Sequence, residues 1–153
     1  MNKADDSADH GLSASERWVE IEAIKQLKAR YFRLMDTKAW LPFSQVFSDD
    51  VVVDVSDDKH APGNTIAGRA NVVDFIRKAV GKAITVHHGH MPEIELLSAT
   101  EARGIWAMFD YVEFKPSRGI RGYGHYHEEY RKEGGNWHIS KLKLTRLRVD
   151  SLG

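Results

Sequence analysis

Between residues 18 and 35, apolar side chains recur every three or four positions, and charged side chains fill the gaps. This spacing predicts an amphipathic helix that buries one face and exposes the other. Ser13 and Glu16 form the Ser-x-x-Glu capping box that marks the start of such a helix, and the pattern ends near Asp36. Lys28 occupies one of the polar positions, so we expect it to face solvent.

After this helix the pattern predicts a short helix over 40–47, a strand over 51–55 and a third helix over 70–80. Alternating segments bounded by turn-forming residues then predict strands over 83–90, 93–97, 102–114, 120–131 and 137–149. The turns are short, and strands and helices do not alternate along the chain. This order favours an α+β domain in which helices cover one side of a bent, mostly antiparallel sheet.

The composition is that of a globular protein, with 42% hydrophobic and 29% charged residues in a chain of 153. We expect residues 1–12 to be a disordered tail and residues 13–150 to form a single domain. The 22 basic residues balance the 22 acidic ones, so no bulk charge favours nucleic acid or an anionic membrane. With no cysteine, disulfides and thiolate chemistry are excluded. Neither a secretory leader nor a membrane-spanning stretch is recognisable, which predicts a cytoplasmic protein.

The predicted strand over 102–114 carries one acid among apolar residues. Strand alternation places Asp110 on the same face as Met108 and Val112. A carboxylate in such surroundings is costly unless it is paired or hydrogen-bonded. A structural ion pair and a functional site explain it equally well from the sequence alone.

The first helix ends with two further candidates. At its C-terminus the helix dipole disfavours an anion, so Asp36 would keep its proton or attract a cation such as a protonated histidine. Alternatively, Asp36 and Thr37 cap the following short helix. Tyr31 falls on the apolar stripe, where a tyrosine is usually a core residue whose hydroxyl still needs a hydrogen-bond partner.

Three of the eight histidines lie within TVHHGHMPEIE, residues 85–95. In a regular strand His87 and His88 point to opposite faces, so they cannot bind one metal ion together. A metal site is nevertheless an alternative, because two His-x-His pairs on neighbouring strands could supply imidazole ligands. The residues of that alternative site are His88, His90, His125, His127 and Glu95.

Six segments follow one another in a characteristic order: IEAIKQLKARYFRLMDTKAW, FSDDVVVDV, IAGRANVVDFIRKAV, TVHHGHMPEIE, GIWAMFDYVEF and GHYHEEYRKEGGNWHISKLKLTR. This ordered set resembles the SnoaL-like branch of the nuclear-transport-factor-2-like superfamily over residues 15 to 149. The resemblance implies a cone-shaped α+β barrel, in which a bent sheet wraps around helices and a deep apolar pocket opens at one end. Within the superfamily the chain looks most like the group of scytalone dehydratase, bile-acid 7α-dehydratase and hexachlorocyclohexane dehydrochlorinase.

Enzymes of that group carry out eliminations without a cofactor through an aspartate–histidine pair, and the resemblance implies roles for particular residues here. Tyr31 and Asp36 have the five-residue spacing of the helical tyrosine and aspartate of the bile-acid enzyme. The pocket histidine corresponds to His87, and a further pocket acid corresponds to Asp110.

The resemblance leaves two assignments open. Either Asp36 or Asp110 is the partner of His87, and either Lys143 or Arg146 is the basic residue that the last strand contributes. We expect the substrate to be contacted by Trp106, Met108, Phe114, His127 and Arg146.

Together these residues predict a chemistry. His87 would remove a proton α to a carbonyl, and Tyr31 would donate a hydrogen bond to the developing enolate or to the leaving hydroxyl. We therefore expect a lyase or isomerase that needs no cofactor and no metal. Its expected substrate is a hydrophobic cyclic carbonyl compound of steroid or polyketide type. We also expect a homodimer or homotrimer. The alternative function is non-catalytic binding of a small ligand, since the same fold serves both purposes.

Overall fold

A computed structural model describes residues 11–58 and 64–153. It contains three helices and six strands within those ranges: α1 Ala14–Asp36, α2 Trp40–Ser44, β1 Phe47–Asp54, β2 Thr65–Ala67, α3 Arg69–Val80, β3 Ile84–Leu96, β4 Glu101–Lys115, β5 Arg118–Glu133 and β6 Asn136–Leu152. The tail predicted over residues 1–12 lies outside the described residues except for its last two positions. Of these, Leu12 is partly buried against the core.

The strands form one sheet in the order β2-β1-β6-β5-β4-β3. β1 runs parallel to β6, and every other pairing is antiparallel. Register shifts interrupt most of the long pairings, and such bulges bend and twist a sheet. The α+β class and the mostly antiparallel, bent sheet are thus confirmed. The sheet is not closed, since β2 and β3 form its two edges.

Helix α1 has the predicted start and end. Ser13 and Glu16 form the complete capping box, with the Glu16 N–H donating to Ser13 Oγ over 3.3 Å and the Ser13 N–H donating to the Glu16 carboxylate over 2.8 Å. Its buried residues include Ile24 and Leu27, as expected. The expectation for Lys28 is wrong, because this side chain is 0% exposed. No helix in the described part of the chain has the length and apolar character needed to cross a membrane.

The predicted strands 83–90 and 93–97 are one strand, β3, which continues through Pro92. The break in the sequence pattern marks a bulge. The register with β4 shifts between His90 and Glu93, and Met91 has a positive φ of 38°. His90 lies before this bulge, next to His88 on the exposed face of the strand.

Strand alternation holds along β3 and β4. His87 is buried on the helix-covered face, whereas His88 is exposed on the other. On β4 the buried positions include Met108, Asp110 and Val112, as the sequence predicts.

Helix α1 lies directly on β3 at Gly89. A methyl group added at Gly89 would lie 2.8 Å from Phe32 Cε2 and 3.1 Å from Trp106 Cε3. The glycine therefore allows Phe32 of α1 to pack against the strand backbone, which fixes the height of the helix above the sheet.

We predict that Gly89→Ala lowers the free energy of unfolding by about 1–3 kcal/mol, the usual cost of overpacking a filled core. Urea unfolding followed by circular dichroism measures this change. The neighbouring exposed residue offers a control, since His90→Ala should change the same free energy by less than about 0.5 kcal/mol. Equal effects of the two variants would contradict the close packing of α1 on β3.

Candidate active site

A cavity of about 320 Å³ lies between α1, α3 and the inner face of the sheet. Most of its wall is aliphatic or aromatic. Its polar lining residues are Tyr31, Asp58, His87, Asp110, Tyr126 and Arg146. A larger groove, about 650 Å³, lies on the outer sheet face and is lined largely by surface charges. The smaller cavity is the better candidate, because apolar walls with a few convergent polar groups are typical of small-ligand sites.

Asp36 joins the end of α1 to β3. Its Oδ1 lies 2.6 Å from His87 Nδ1, and its Oδ2 accepts a hydrogen bond from the His87 backbone N–H over 2.9 Å. The Thr85 hydroxyl donates to Oδ1 over 2.8 Å. Asp36 thus contacts His87 and does not cap α2, whose N-cap is Ala39 without a side-chain hydrogen bond.

These hydrogen bonds decide the charge of Asp36. Partial burial pushes the pKa of its carboxyl up, but the hydrogen bonds from His87 and Thr85 act against it, and the pKa is lowered. The carboxylate is therefore ionised despite its unfavourable place at the helix C-terminus.

Two residues missed by the sequence reasoning support this carboxylate. Thr85 is buried one alternation step before His87, and its hydroxyl accepts a hydrogen bond from Lys38 Nζ over 2.6 Å. Lys38 follows α1 directly and has a positive φ of 59°. A lysine in this left-handed region is unusual, and the only sequence signal for it was its place just beyond a helix end.

Asp110 has a different partner, although it lies directly opposite His87 in the β3–β4 register. Its Oδ1 accepts a hydrogen bond from Arg146 Nη1 over 2.9 Å. Arg146 Nη2 also donates to Asp58 Oδ2 over 2.9 Å. The arginine is therefore held between two carboxylates, and its side chain is almost fully buried.

Gly122 of β5 makes room for this arrangement. It pairs with Asp110 in the sheet register, and a methyl group there would overlap both Arg146 Nη1 and Asp110 Oδ1. Burial lowers the pKa of the Arg146 guanidinium, but the hydrogen bonds and charges of Asp110 and Asp58 raise it by more. Arg146 is therefore a permanent cation.

The structure distinguishes the two basic candidates of the last strand. Arg146 faces the cavity. Lys143 is 49% exposed on the opposite face and lies 3.7 Å from Asp54.

Tyr31 and Tyr126 line the cavity with ring centroids 6.2 Å apart. Neither hydroxyl has a hydrogen-bond partner among the described residues. Neither is fully enclosed either, because no fully enclosed side-chain oxygen in the described chain lacks a partner. Both hydroxyls must therefore reach the cavity space. Burial first, and then the neighbouring charge of Glu128, raise the pKa of Tyr31. The two phenols are therefore protonated hydrogen-bond donors.

Of the other residues expected to contact substrate, one lines the cavity and three do not. Phe114 lines it. Trp106 and Met108 are buried beside it, and the Trp106 indole donates to the Tyr130 hydroxyl over 2.8 Å. His127 lies away from the cavity, since it lines the outer groove and contacts Thr145 Oγ1 over 3.1 Å. Its position in β5 alternates with Tyr126 and so faces the other side.

The four-histidine metal site is not formed. His88 and His90 contact each other at a ring-centroid distance of 5.7 Å, and His125 and His127 do so at 6.2 Å. In the described part of the chain, no three His, Asp or Glu side chains converge in a way that could hold a metal ion.

The fold and the cavity define a class of protein: a bent open sheet and its helices enclose a largely apolar cavity, and His87 in its wall is bonded to Asp36. The chain belongs to the SnoaL-like domain family, whose model matches residues 16–143. A protein of Gibberella zeae named "Probable cyclase FGR4" is 26% identical over 137 residues, which cover 81% of this chain and 89% of that protein.

Solved structures share the fold. A candidate scytalone dehydratase from Novosphingobium aromaticivorans superposes with a TM-score of 0.79 and 21% identity, covering 90% of each chain. Hexachlorocyclohexane dehydrochlorinase LinA-type3 from Novosphingobium barchaimii also gives a TM-score of 0.79 at 21% identity, covering 92% of this chain and 95% of that one. These similarities establish the cone-shaped architecture around the cavity.

The position of Arg146 between two carboxylates leads to a prediction about stability. Arg146→Met removes the cation from between Asp110 and Asp58 and should lower the free energy of unfolding by about 3–5 kcal/mol, as for other broken buried ion pairs. Lys143→Met is the matched control, because it removes a surface ion pair worth about 0–1 kcal/mol. Denaturant unfolding compares the two. Equal losses would show that Arg146 is not held in a buried pair.

Asp36 generates a pH prediction. Its pKa in the folded protein lies below the ordinary 3.8, so its contribution to stability is present above that pH and is lost as the pH falls through the folded value. The stability difference between the wild type and Asp36→Asn should therefore be largest near neutral pH and shrink below pH 3.8. Thermal unfolding across this range measures it. Asp49→Asn is the control, since Asp49 is 89% exposed with one surface ion pair, and it should show little difference at any pH.

Proposed function

We propose that the protein is a cofactor-independent lyase or isomerase that uses His87 as its base. The observation that carries this proposal is the 2.6 Å contact between His87 Nδ1 and Asp36 in the wall of an apolar cavity. An ionised Asp36 accepts a hydrogen bond from Nδ1–H, which fixes the tautomer in which Nε2 is unprotonated. Nε2 has no hydrogen-bond partner among the described residues, so it is available to a bound substrate.

The reaction follows from these groups. His87 Nε2 takes a proton from the carbon α to a carbonyl, and the electron pair of the C–H bond moves onto the carbonyl oxygen as an enolate. In an elimination, the enolate reforms the carbonyl and expels a β-hydroxyl group, which takes the proton back from His87 and leaves as water. In an isomerisation, His87 returns the proton to another carbon. The imidazolium formed in between is stabilised by Asp36.

The enolate oxygen needs hydrogen-bond donors. Tyr31 supplies one from the cavity wall, and its phenol is protonated at all ordinary pH values. Arg146 is held by Asp110 and Asp58, so Arg146 and Asp110 form a fixed dipole beside His87. We propose that Asp110 contributes through this dipole.

The wall of the cavity suggests the substrate class. It is largely apolar, and Arg146 in its wall is already paired with two carboxylates, so it offers no free cation to an anionic ligand, which favours an uncharged one. Members of this fold bind small hydrophobic ligands, and the related proteins carry the names of a cyclase, a dehydratase and a dehydrochlorinase. We therefore propose a neutral, hydrophobic cyclic carbonyl compound of steroid or polyketide type. Binding of such a compound without catalysis is the alternative function.

Self-association as a homodimer or homotrimer is part of the proposal. The outer sheet face carries exposed apolar side chains, including Val86, Ile105, Tyr123 and Leu147. An exposed apolar face of this kind favours contact with a second copy.

A panel of cyclic β-hydroxy ketones and their dehydrated enones tests the function, with loss or gain of the enone absorbance as the readout. The wild type should turn over at least one of them. His87→Ala should reduce turnover by about 10²–10⁴-fold, the usual contribution of a general base. Tyr31→Phe should reduce it through loss of the enolate hydrogen bond, by about 10²-fold or more.

His88→Ala is the matched control, because His88 lies one position along the same strand on the outer face and should leave turnover unchanged. Calorimetric binding of the same panel separates the alternative function. If the wild type binds these compounds tightly but never converts them, the protein is a ligand binder.

A further inference from the structure

A charged group lies inside the core directly behind the two cavity tyrosines. Lys28 of α1 is 0% exposed, and its Nζ lies 3.9 Å from the ring centroid of Tyr31 and 3.9 Å from that of Tyr126. The Phe32 ring lies at 4.7 Å. Three aromatic faces therefore surround one ammonium group, a geometry in which the cation attracts the electron density of the rings.

The counter-ion of Lys28 is Glu128, whose charge adds to the effect of burial and raises the pKa of both Tyr31 and Tyr126. Lys28 Nζ forms a buried ion pair with Glu128 Oε1. The second carboxylate oxygen of Glu128 accepts a hydrogen bond from the Tyr130 hydroxyl over 2.5 Å, and that hydroxyl accepts one from the Trp106 indole over 2.8 Å. The pair is therefore oriented, with its positive end against Tyr31 and Tyr126 and its negative end anchored to Tyr130.

Burying such a pair costs free energy, because both charges lose their contact with water. Replacing a fully buried ion pair with apolar residues of similar volume is often neutral or stabilising, so packing alone does not explain its presence. Burial lowers the pKa of Lys28 by more than the charge and hydrogen bond of the adjacent Glu128 raise it. What distinguishes this pair is that its cation touches both of the tyrosine rings that line the cavity.

We propose that Lys28 is a positioning residue that polarises Tyr31 and Tyr126, so that their hydroxyls form a strengthened pair of hydrogen-bond donors for an oxygen atom of the ligand. A cation against the face of a phenol withdraws electron density from the ring and makes its O–H a better donor. Tyr126 thereby joins Tyr31 as a residue that contacts the ligand. This inference rests on the proposed function for the identity of that oxygen, the carbonyl that becomes an enolate, but the polarisation itself is a property of the free protein.

The test measures the acidity of the phenol without any substrate. Trifluorotyrosine placed at position 31 titrates in an accessible pH range and is followed by its absorbance. Its pKa is compared in the otherwise natural protein and in Lys28→Met/Glu128→Gln, which removes both charges at nearly constant volume. Because the ammonium touches the ring, its loss should outweigh the loss of the Glu128 charge and raise the pKa of the position-31 phenol by about one unit, a tenfold weaker acid. The same label at position 126 should respond in the same direction.

The control background is Lys132→Met/Glu20→Gln, which removes another partly buried ion pair that does not touch Tyr31 or Tyr126. It should leave the phenol pKa unchanged. An unchanged or lowered pKa in Lys28→Met/Glu128→Gln overturns the proposal, because the negative end of the pair, or a neutral amine, would then govern the ring. If that double variant does not fold, the ¹⁵N signal of Lys28 Nζ in the natural protein decides: an ammonium supports the proposal, and a neutral amine overturns it.

The result stands apart from the proposed activity. A pKa shift with no turnover of any carbonyl compound would leave the polarised donors intact and remove only the lyase assignment. Turnover of such a compound with no pKa shift would support the lyase assignment and overturn the polarisation of the tyrosines by Lys28.

Discussion

The carboxylate of Asp36 is the contact on which the rest of the cavity depends. It is the last residue of α1, and it bonds to three groups of β3: the His87 ring, the His87 backbone N–H and the Thr85 hydroxyl. A helix end is thereby attached to a strand at one fixed register. Because Asp36 has two oxygens and both are engaged, the imidazole has a single orientation relative to the cavity.

Local periodicity predicted much of this arrangement. The capping box of α1, the burial of Asp110 and the opposite directions of His87 and His88 all follow from spacing within one element. Such spacing can be read directly, because it depends only on the 3.6-residue turn of a helix or the two-residue repeat of a strand.

Partner choice could not be predicted in the same way. Asp110 lies opposite His87 in the sheet but bonds Arg146, because Gly122 opens a space on the other side. Lys28 occupies a polar position of the helix pattern but is buried, because the bent sheet brings Glu128 to it. Both outcomes depend on residues far apart in the chain, which periodicity does not connect.

The bulge in β3 lies on a strand at the open edge of the sheet. β3 pairs with β4 only, so along its 13 residues one row of backbone groups has no strand beside it within the described chain. A long, regular edge of this kind invites the strands of other molecules and leads to aggregation. Pro92, which lacks an N–H, and the positive φ of Met91 interrupt that row in its middle. The segment that holds His87 therefore also makes its own edge a poorer template for a strand of another molecule.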